Sequence, residues 1–207
     1  MKIGLFLGSF DPIHTGHINM IRESLNYVDK VIVVPSGHNP WKKAEPAPFD
    51  IRVKMIDVSI KPFFNRVEVS GVENTFEPPY YANKPLNYFR DKYKDDELYI
   101  ICGSDTAGKI QYWKNANTDI LPYFKIIAID RGDYLTKEIN KESKSRTIKI
   151  LDENGNEKYT YEHVYVEPSF PISSTLIRDF IKNNKRVYPL TPYEVECIIK
   201  DNNLYLV

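Results

Sequence analysis

Short runs rich in Ile, Val, Leu and Tyr stand at residues 3–7, 31–34, 67–69, 98–101, 126–129 and 164–166, and several are apolar throughout rather than alternating with polar residues. A strand that is apolar on both faces must be covered on both, which is the condition of a parallel sheet with helices above and below it. Between the first two runs, Ile18, Ile21, Leu25 and Val28 recur at helical spacing, so the chain opens on a βαβ unit. The expected fold is α/β, a doubly wound Rossmann-like parallel sheet. No linker divides the 207 residues, so residues 1–207 are expected to form a single domain.

Two segments depart from this alternation. Residues 137–161 are charged and carry Asn154-Gly155, a strong two-residue hairpin signal, between Ile148, Ile150, Tyr159 and Tyr161. A surface β-hairpin insertion is expected there. Residues 172–207 should form a small helical part. Residues 173–183 read as a helix with hydroxyl residues at its start and Leu176, Ile177, Phe180 and Ile181 on its apolar side. Beyond it, Thr191, Pro192 and Glu194 supply a candidate N-cap, a first-turn proline and a capping-box acid, ahead of an apolar stripe of Val195, Ile198 and Ile199.

With 28 Lys+Arg against 28 Asp+Glu, the chain lacks the basic excess of a protein that coats nucleic acid. The apolar run at 3–7 ends at Gly8 and Ser9, too short for a signal-peptide core or a membrane span. Cys102 and Cys197 make no CxxC pair and read as small buried apolar residues of a reducing interior. The expectation is a cytoplasmic protein with neither nucleic-acid nor membrane partners.

The chemistry concentrates in Gly8-Ser9-Phe10-Asp11-Pro12-Ile13-His14-Thr15-Gly16-His17, between the first strand and the first helix. In a doubly wound sheet that position borders the ligand crevice, and a helix N-terminus there presents N–H groups to an anion. Gly8 and Gly16 permit close backbone approach, and His14 and His17 add side-chain donors. Two plainer readings stand beside this one: a purely structural turn, and a histidine pair on a metal. Asp11 is the only carboxylate nearby, so no metal site is expected. The dinucleotide GxGxxG and the Walker A patterns are both missing.

His14-Thr15-Gly16-His17 stands as the HxGH motif of the nucleotidylyltransferase superfamily, and Ile172-Ser173-Ser174-Thr175-Leu176-Ile177-Arg178 matches its ISSTxIR motif. Alone, the Ser-Ser-Thr cluster would read as a helix cap; with Arg178 one turn in, it suits phosphate oxygens. The chain most resembles the nicotinate-nucleotide adenylyltransferase family. The resemblance extends through Pro35-Ser36-Gly37-His38-Asn39-Pro40-Trp41-Lys42, Arg52 and Met55, Gly103-Ser104-Asp105, Trp113 and Arg131, to Val195, Ile198, Leu204 and Tyr205. Only residues 137–161 are foreign to it.

The resemblance implies adenylyl transfer from ATP to nicotinate mononucleotide, with release of pyrophosphate, in NAD biosynthesis. The acceptor phosphate is already an anionic nucleophile, so alignment and charge stabilisation suffice and no covalent nucleophile is needed. By the same resemblance His14, His17 and Arg178 are catalytic. Gly8, Ser9, Phe10, Lys42, Gly103, Asp105, Arg131, Ser173, Ser174 and Thr175 join them in binding ATP, which carries Mg²⁺. Asp105 would accept the ribose hydroxyls, its plain alternative being a helix N-cap. Trp113 would stack on the pyridine ring, its plain alternative being a core residue, and Asn39, Tyr81 and Tyr112 would complete the mononucleotide side.

Two departures bear on the acceptor. The family's Ser-Tyr-Thr-x-Asp-Thr-Leu segment reads Tyr80-Tyr81-Ala82-Asn83-Lys84-Pro85-Leu86 here, keeping Tyr81 and adding Lys84 as a candidate partner for a carboxylate, and Trp41 stands where a His precedes the basic residue. Nicotinamide mononucleotide, phosphopantetheine as a more distant acceptor, a non-catalytic nucleotide sensor and an RNA-binding module remain as rival readings.

Overall fold

The computed structural model describes residues 1–37, 45–130, 145–152, 154–165 and 172–206. Seven strands, β1 (Lys2–Gly8), β2 (Lys30–Pro35), β3 (Val67–Val69), β4 (Glu97–Gly103), β5 (Phe124–Asp130), β6 (Ser145–Leu151) and β7 (Glu157–Tyr165), form one sheet in the order β3-β2-β1-β4-β5-β7-β6. All neighbours pair in parallel except β6 and β7. The helices are α1 (Thr15–Ser24), α2 (Phe49–Ile60), α3 (Asn83–Lys92), the single turn α4 (Ser104–Ala107), α5 (Ser174–Lys182) and α6 (Tyr193–Asp201).

The apolar strands behave as the sequence predicts. Val31 and Val33 pack with Met20, Ile21, Met55, Ile56, Val195 and Ile199 on one face of the sheet. Their neighbours Ile32 and Val34 pack with Leu86, Phe89, Ile110 and Phe124 on the other. Alternate residues thus enter two separate cores, which is why the strands contain no polar phase. The chain winds outward from β1 through β2 to β3, then returns to β4 on the other side of β1. A crevice therefore opens at the carboxyl ends of β1 and β4, the topological switch point.

Four sequence expectations are corrected. The hairpin at 145–165 is no surface insertion: β7 runs parallel to β5 and β6 forms the sheet edge, while Tyr159 on β7 is buried. The run expected to begin at 164 is the end of this same strand, its last residue falling outside the described ones. The hairpin turn itself behaves as read, with Gly155 at φ 81° and the Asp152 carboxylate accepting the N–H groups of Asn154 and Asn156. Thr191 does not cap α6; it is fully buried and its hydroxyl donates to the carbonyl of Ile13. Cys102 is buried as expected, whereas Cys197 is only half-buried.

Helix α3, which follows the Tyr80–Tyr81 segment, is tied to the turn after Trp113 through one carboxylate. Asp119 accepts from the side-chain amides of Asn115 (3.0 Å), Asn87 (3.3 Å) and Asn83 (3.4 Å) and from the Thr118 hydroxyl (2.8 Å). These hydrogen bonds, led by Asn115, hold its carboxyl down at about 2, against an ordinary 3.8. A depressed carboxylate contributes stability that is present above its unfolded value and lost as pH falls through the folded one. Asp119→Asn should therefore melt below the wild type at neutral pH, and the gap should close between about pH 4 and pH 2. A gap independent of pH in calorimetry would show that the charge is irrelevant to this joint.

Candidate active site

The loop from β1 to α1 is built around a reciprocal histidine cap. His14, with extended backbone (φ −145°, ψ 170°), is the N-cap of α1. Its Nδ1 accepts the N–H of His17, and the Nδ1 of His17 accepts the N–H of His14, each at 3.3 Å. The two histidines thereby perform the work of a Ser/Glu capping box, a structural role beside the anion-donor role expected of them. Their rings stack at 3.6 Å between centroids, 25° from parallel. Because both Nδ1 atoms accept, the ring proton of each neutral imidazole sits on Nε2; His14 is buried and His17 half-buried. The spacing also explains the glycine between them: a Cβ on Gly16 would come within 3.0 Å of the His14 ring.

Phe10 backs this pair. It holds φ at 46°, is buried, and meets His17 edge-on at 5.0 Å and Phe6 at 5.1 Å. Its side chain faces the core and packs against the His17 ring.

The carbonyls of the loop are satisfied from the far end of the chain. Ser174 Oγ donates to Pro12 O at 2.9 Å, Arg178 Nη1 to Asp11 O at 2.7 Å, and Thr191 Oγ1 to Ile13 O at 2.9 Å. Leu190 O accepts both the N–H and the hydroxyl of Thr15. The Tyr205 hydroxyl donates to Asp11 Oδ1 at 2.6 Å, an oxygen that also accepts from Ala47 N. Burial and the Asp11 charge push the Tyr205 phenol well above its ordinary range. The ISSTxIR segment thus lies against the HxGH loop. Ser173 is the N-cap of α5 through its bond from Leu176 N, while the Arg178 Nη2 also donates to Thr175 Oγ1. Ser174, expected on phosphate, is committed to the loop, and Arg178 spends part of its donor fork there while remaining partly exposed.

At the neighbouring strand end, Gly103 precedes α4, which has no side-chain cap. Asp105 stands exposed in its first turn, so the capping alternative for Asp105 does not hold. Between the ends of β1 and β2 and the segments at 80–82 and 112–114 lies a cavity of about 470 Å³. It brings together Gly8, Ser9, Tyr81, Tyr112 and Trp113 of the expected site. Trp113 packs partly into the core beneath, Tyr112 stands 79% exposed, and the Lys114 ammonium lies 4.6 Å over the Tyr81 ring. Lys84 is directed elsewhere, onto the carbonyl of Glu77. Asn39, Lys42 and Arg131 lie outside the described residues.

Two residues of this region carry more than the sequence suggested. Arg52 is buried, with Nε on Ala47 O and its terminal nitrogens on Ser9 O, Ser36 O and Gly37 O, all within 2.9 Å. Glu73, also buried, lines the cavity and accepts the Gly37 N–H at 3.0 Å. Burial raises its carboxyl above the ordinary value, while that N–H and the Arg52 charge oppose the rise. Nothing in the sequence around Glu73 distinguishes it from a solvated acid. Among the described residues, no group of three or more His, Cys, Asp or Glu side chains is arranged to hold a metal ion.

Residues 5–180 match the cytidylyltransferase-like family. A protein of Clostridium novyi called "Probable nicotinate-nucleotide adenylyltransferase" is 32% identical over 207 residues, covering 99% of this chain and 98% of that one. The chain belongs to the nicotinate-nucleotide adenylyltransferase family. A relative of the same name from Caldicellulosiruptor bescii is 33% identical across 99% of both chains. The nicotinic acid mononucleotide adenylyltransferase of Plasmodium falciparum, solved in complex with NaAD, shares the fold with a TM-score of 0.74 at 21% identity, covering 99% of this chain and 97% of that one. The edge hairpin, foreign to the resemblance at the level of sequence, continues this chain's own sheet beyond β5.

Proposed function

We propose that the protein transfers the adenylyl group of ATP to nicotinate mononucleotide: an oxygen of the acceptor phosphate bonds to the α-phosphorus, the bond to the β-phosphate bridge breaks, and pyrophosphate leaves with its electron pair. The observation that carries this reading is the joining of two surfaces at one strand end. The histidine-capped N-terminus of α1 follows closely on Gly8 and Ser9, and these two residues line a cavity together with Tyr81 and Trp113. An anionic tail and a flat aromatic ring are the two ends of a pyridine mononucleotide.

In this reading His14 and His17 donate to the ATP phosphates, with His17 on the α-phosphate as charge develops. Arg178, Ser173 and Thr175, with Lys42, hold the triphosphate. Asp105 accepts the ribose hydroxyls beside Gly103, and Arg131 is a further ATP-binding residue. Trp113 stacks on the pyridine ring, with Tyr81, Tyr112 and Asn39 around it. Mg²⁺ arrives as Mg-ATP, bound to the phosphate oxygens of the substrate. No described helix is long and apolar enough to cross a membrane, and the two cysteines are unpaired, which supports a cytoplasmic enzyme.

The test is pyrophosphate release from Mg-ATP with nicotinate mononucleotide, nicotinamide mononucleotide and phosphopantetheine compared at equal concentration. The nicotinate acceptor should give the highest kcat/KM. Preference for another acceptor would move the specificity, and release with none would leave a nucleotide-binding protein without turnover. Trp113→Ala should raise the KM for the mononucleotide by about tenfold, the loss of one aromatic stack, and leave the KM for ATP nearly unchanged. Equal losses for both substrates would make Trp113 part of the scaffold.

A further inference from the structure

The turn at 103–105 is one strand end removed from the histidine loop, and α4, which continues it, has only four residues and no side-chain cap. So short a helix cannot hold its own geometry; what holds it comes from β7. The Tyr159 hydroxyl donates to the Ala107 carbonyl at 2.8 Å, in a buried bond. His163 Nε2 lies 3.2 Å from Ser104 Oγ. Both ends of α4 are therefore pinned to one strand. Residues 159 and 163 are four apart on β7 and share a face, and both are buried. Burial raises the Tyr159 phenol to about 12, so it stays a donor.

We propose that His163 and Tyr159 are positioning residues for ATP: by clamping the first and last residues of α4 they fix the turn that presents Asp105 to the nucleotide ribose, and so set the affinity for ATP without touching it. The edge hairpin then acts in the reaction through its inner strand, as the element that tunes the adenosine side of the site. The inference rests on the reading of Asp105 as a ribose contact.

The experiment is a double-mutant cycle on purified enzyme, following pyrophosphate release while ATP is varied at saturating mononucleotide, and then the converse. His163→Phe removes the bond to Ser104 and should raise the KM for ATP about three- to tenfold, the range of one neutral hydrogen bond, with the mononucleotide KM within about twofold of wild type. His163→Gln, whose amide can still reach the Ser104 hydroxyl, should recover most of the loss. In a Ser104→Ala background the His163→Phe change should have no further effect on the KM for ATP. An equal effect in both backgrounds, or a parallel rise in both KM values, would overturn the proposal. If His163→Phe fails to fold, Ser104→Ala and Tyr159→Phe decide: an unchanged KM for ATP in both removes the clamp. Asp105→Ala separates the two layers. If it leaves the KM for ATP unchanged, the ribose reading fails; if it raises it while the clamp variants do not, only the present inference fails.

Discussion

His17→Ala should lower kcat by about two to three orders of magnitude, the cost of removing a preorganised donor from a site of developing charge. The expectation follows from the ring's fixed tautomer. Nδ1 accepts the His14 N–H at 3.3 Å, which leaves the ring proton on Nε2, and Phe10 packs edge-on against the ring at 5.0 Å. No reorganisation is then needed when charge builds on the α-phosphate. The same geometry predicts a second, smaller effect: the variant loses one arm of the reciprocal cap, which should cost about 0.5–2 kcal/mol of stability. Measuring kcat together with the unfolding free energy separates the two. A folded variant with wild-type kcat would remove His17 from the chemistry and leave it a capping residue.

The sheet was legible because its strands are buried on both sides. Ile32 and Val33 point into opposite cores, so no polar residue was tolerated between them and the pattern announced a parallel arrangement. The HxGH loop was equally readable, since its residues are contiguous. What escaped was long-range polar pairing. Arg178 reaches Asp11 across 167 residues of sequence and Tyr205 reaches it across 194, and no local pattern encodes such partners. Thr191 was misread for that reason: a threonine before a proline looks like a cap, while its partner, the Ile13 carbonyl, lies 178 residues away. The hairpin was misplaced for a different one. An edge strand exposes a face, so its sequence is charged like that of a surface loop even where its inner neighbour carries a buried Tyr159.

Arg52→Leu should destabilise the protein by about 3–5 kcal/mol, the range for removing one partner from a buried charged network. Arg52 is 1% exposed, and its guanidinium donates to four backbone carbonyls, those of Ser9, Ser36, Gly37 and Ala47. Those carbonyls belong to the β1–α1 loop, to the end of β2 and to the segment before α2, so one side chain joins three pieces of chain at the mouth of the cavity. Leucine fills the volume but leaves each carbonyl without its donor. Arg52→Lys keeps the charge but not the planar fork and should fall between wild type and Leu. For a chain of this size the Leu variant should melt roughly 10 °C lower, with raised KM for both substrates, because Ser9 and Ser36, whose carbonyls it holds, line the cavity. Acidification should narrow the deficit. Burial already raises Glu73 above its ordinary 4.5, and the Arg52 charge opposes that rise; without Arg52 the folded value climbs further. A raised carboxyl contributes stability that is fully present below its unfolded value and lost as pH rises through the folded one. The variant should therefore be closer to wild type below about pH 4.5 than at pH 7. A melting temperature within about 2 °C of wild type at pH 7 would mean that water or a neighbouring donor replaces the guanidinium, and the β1 and β2 loops would then owe their alignment to the helices alone.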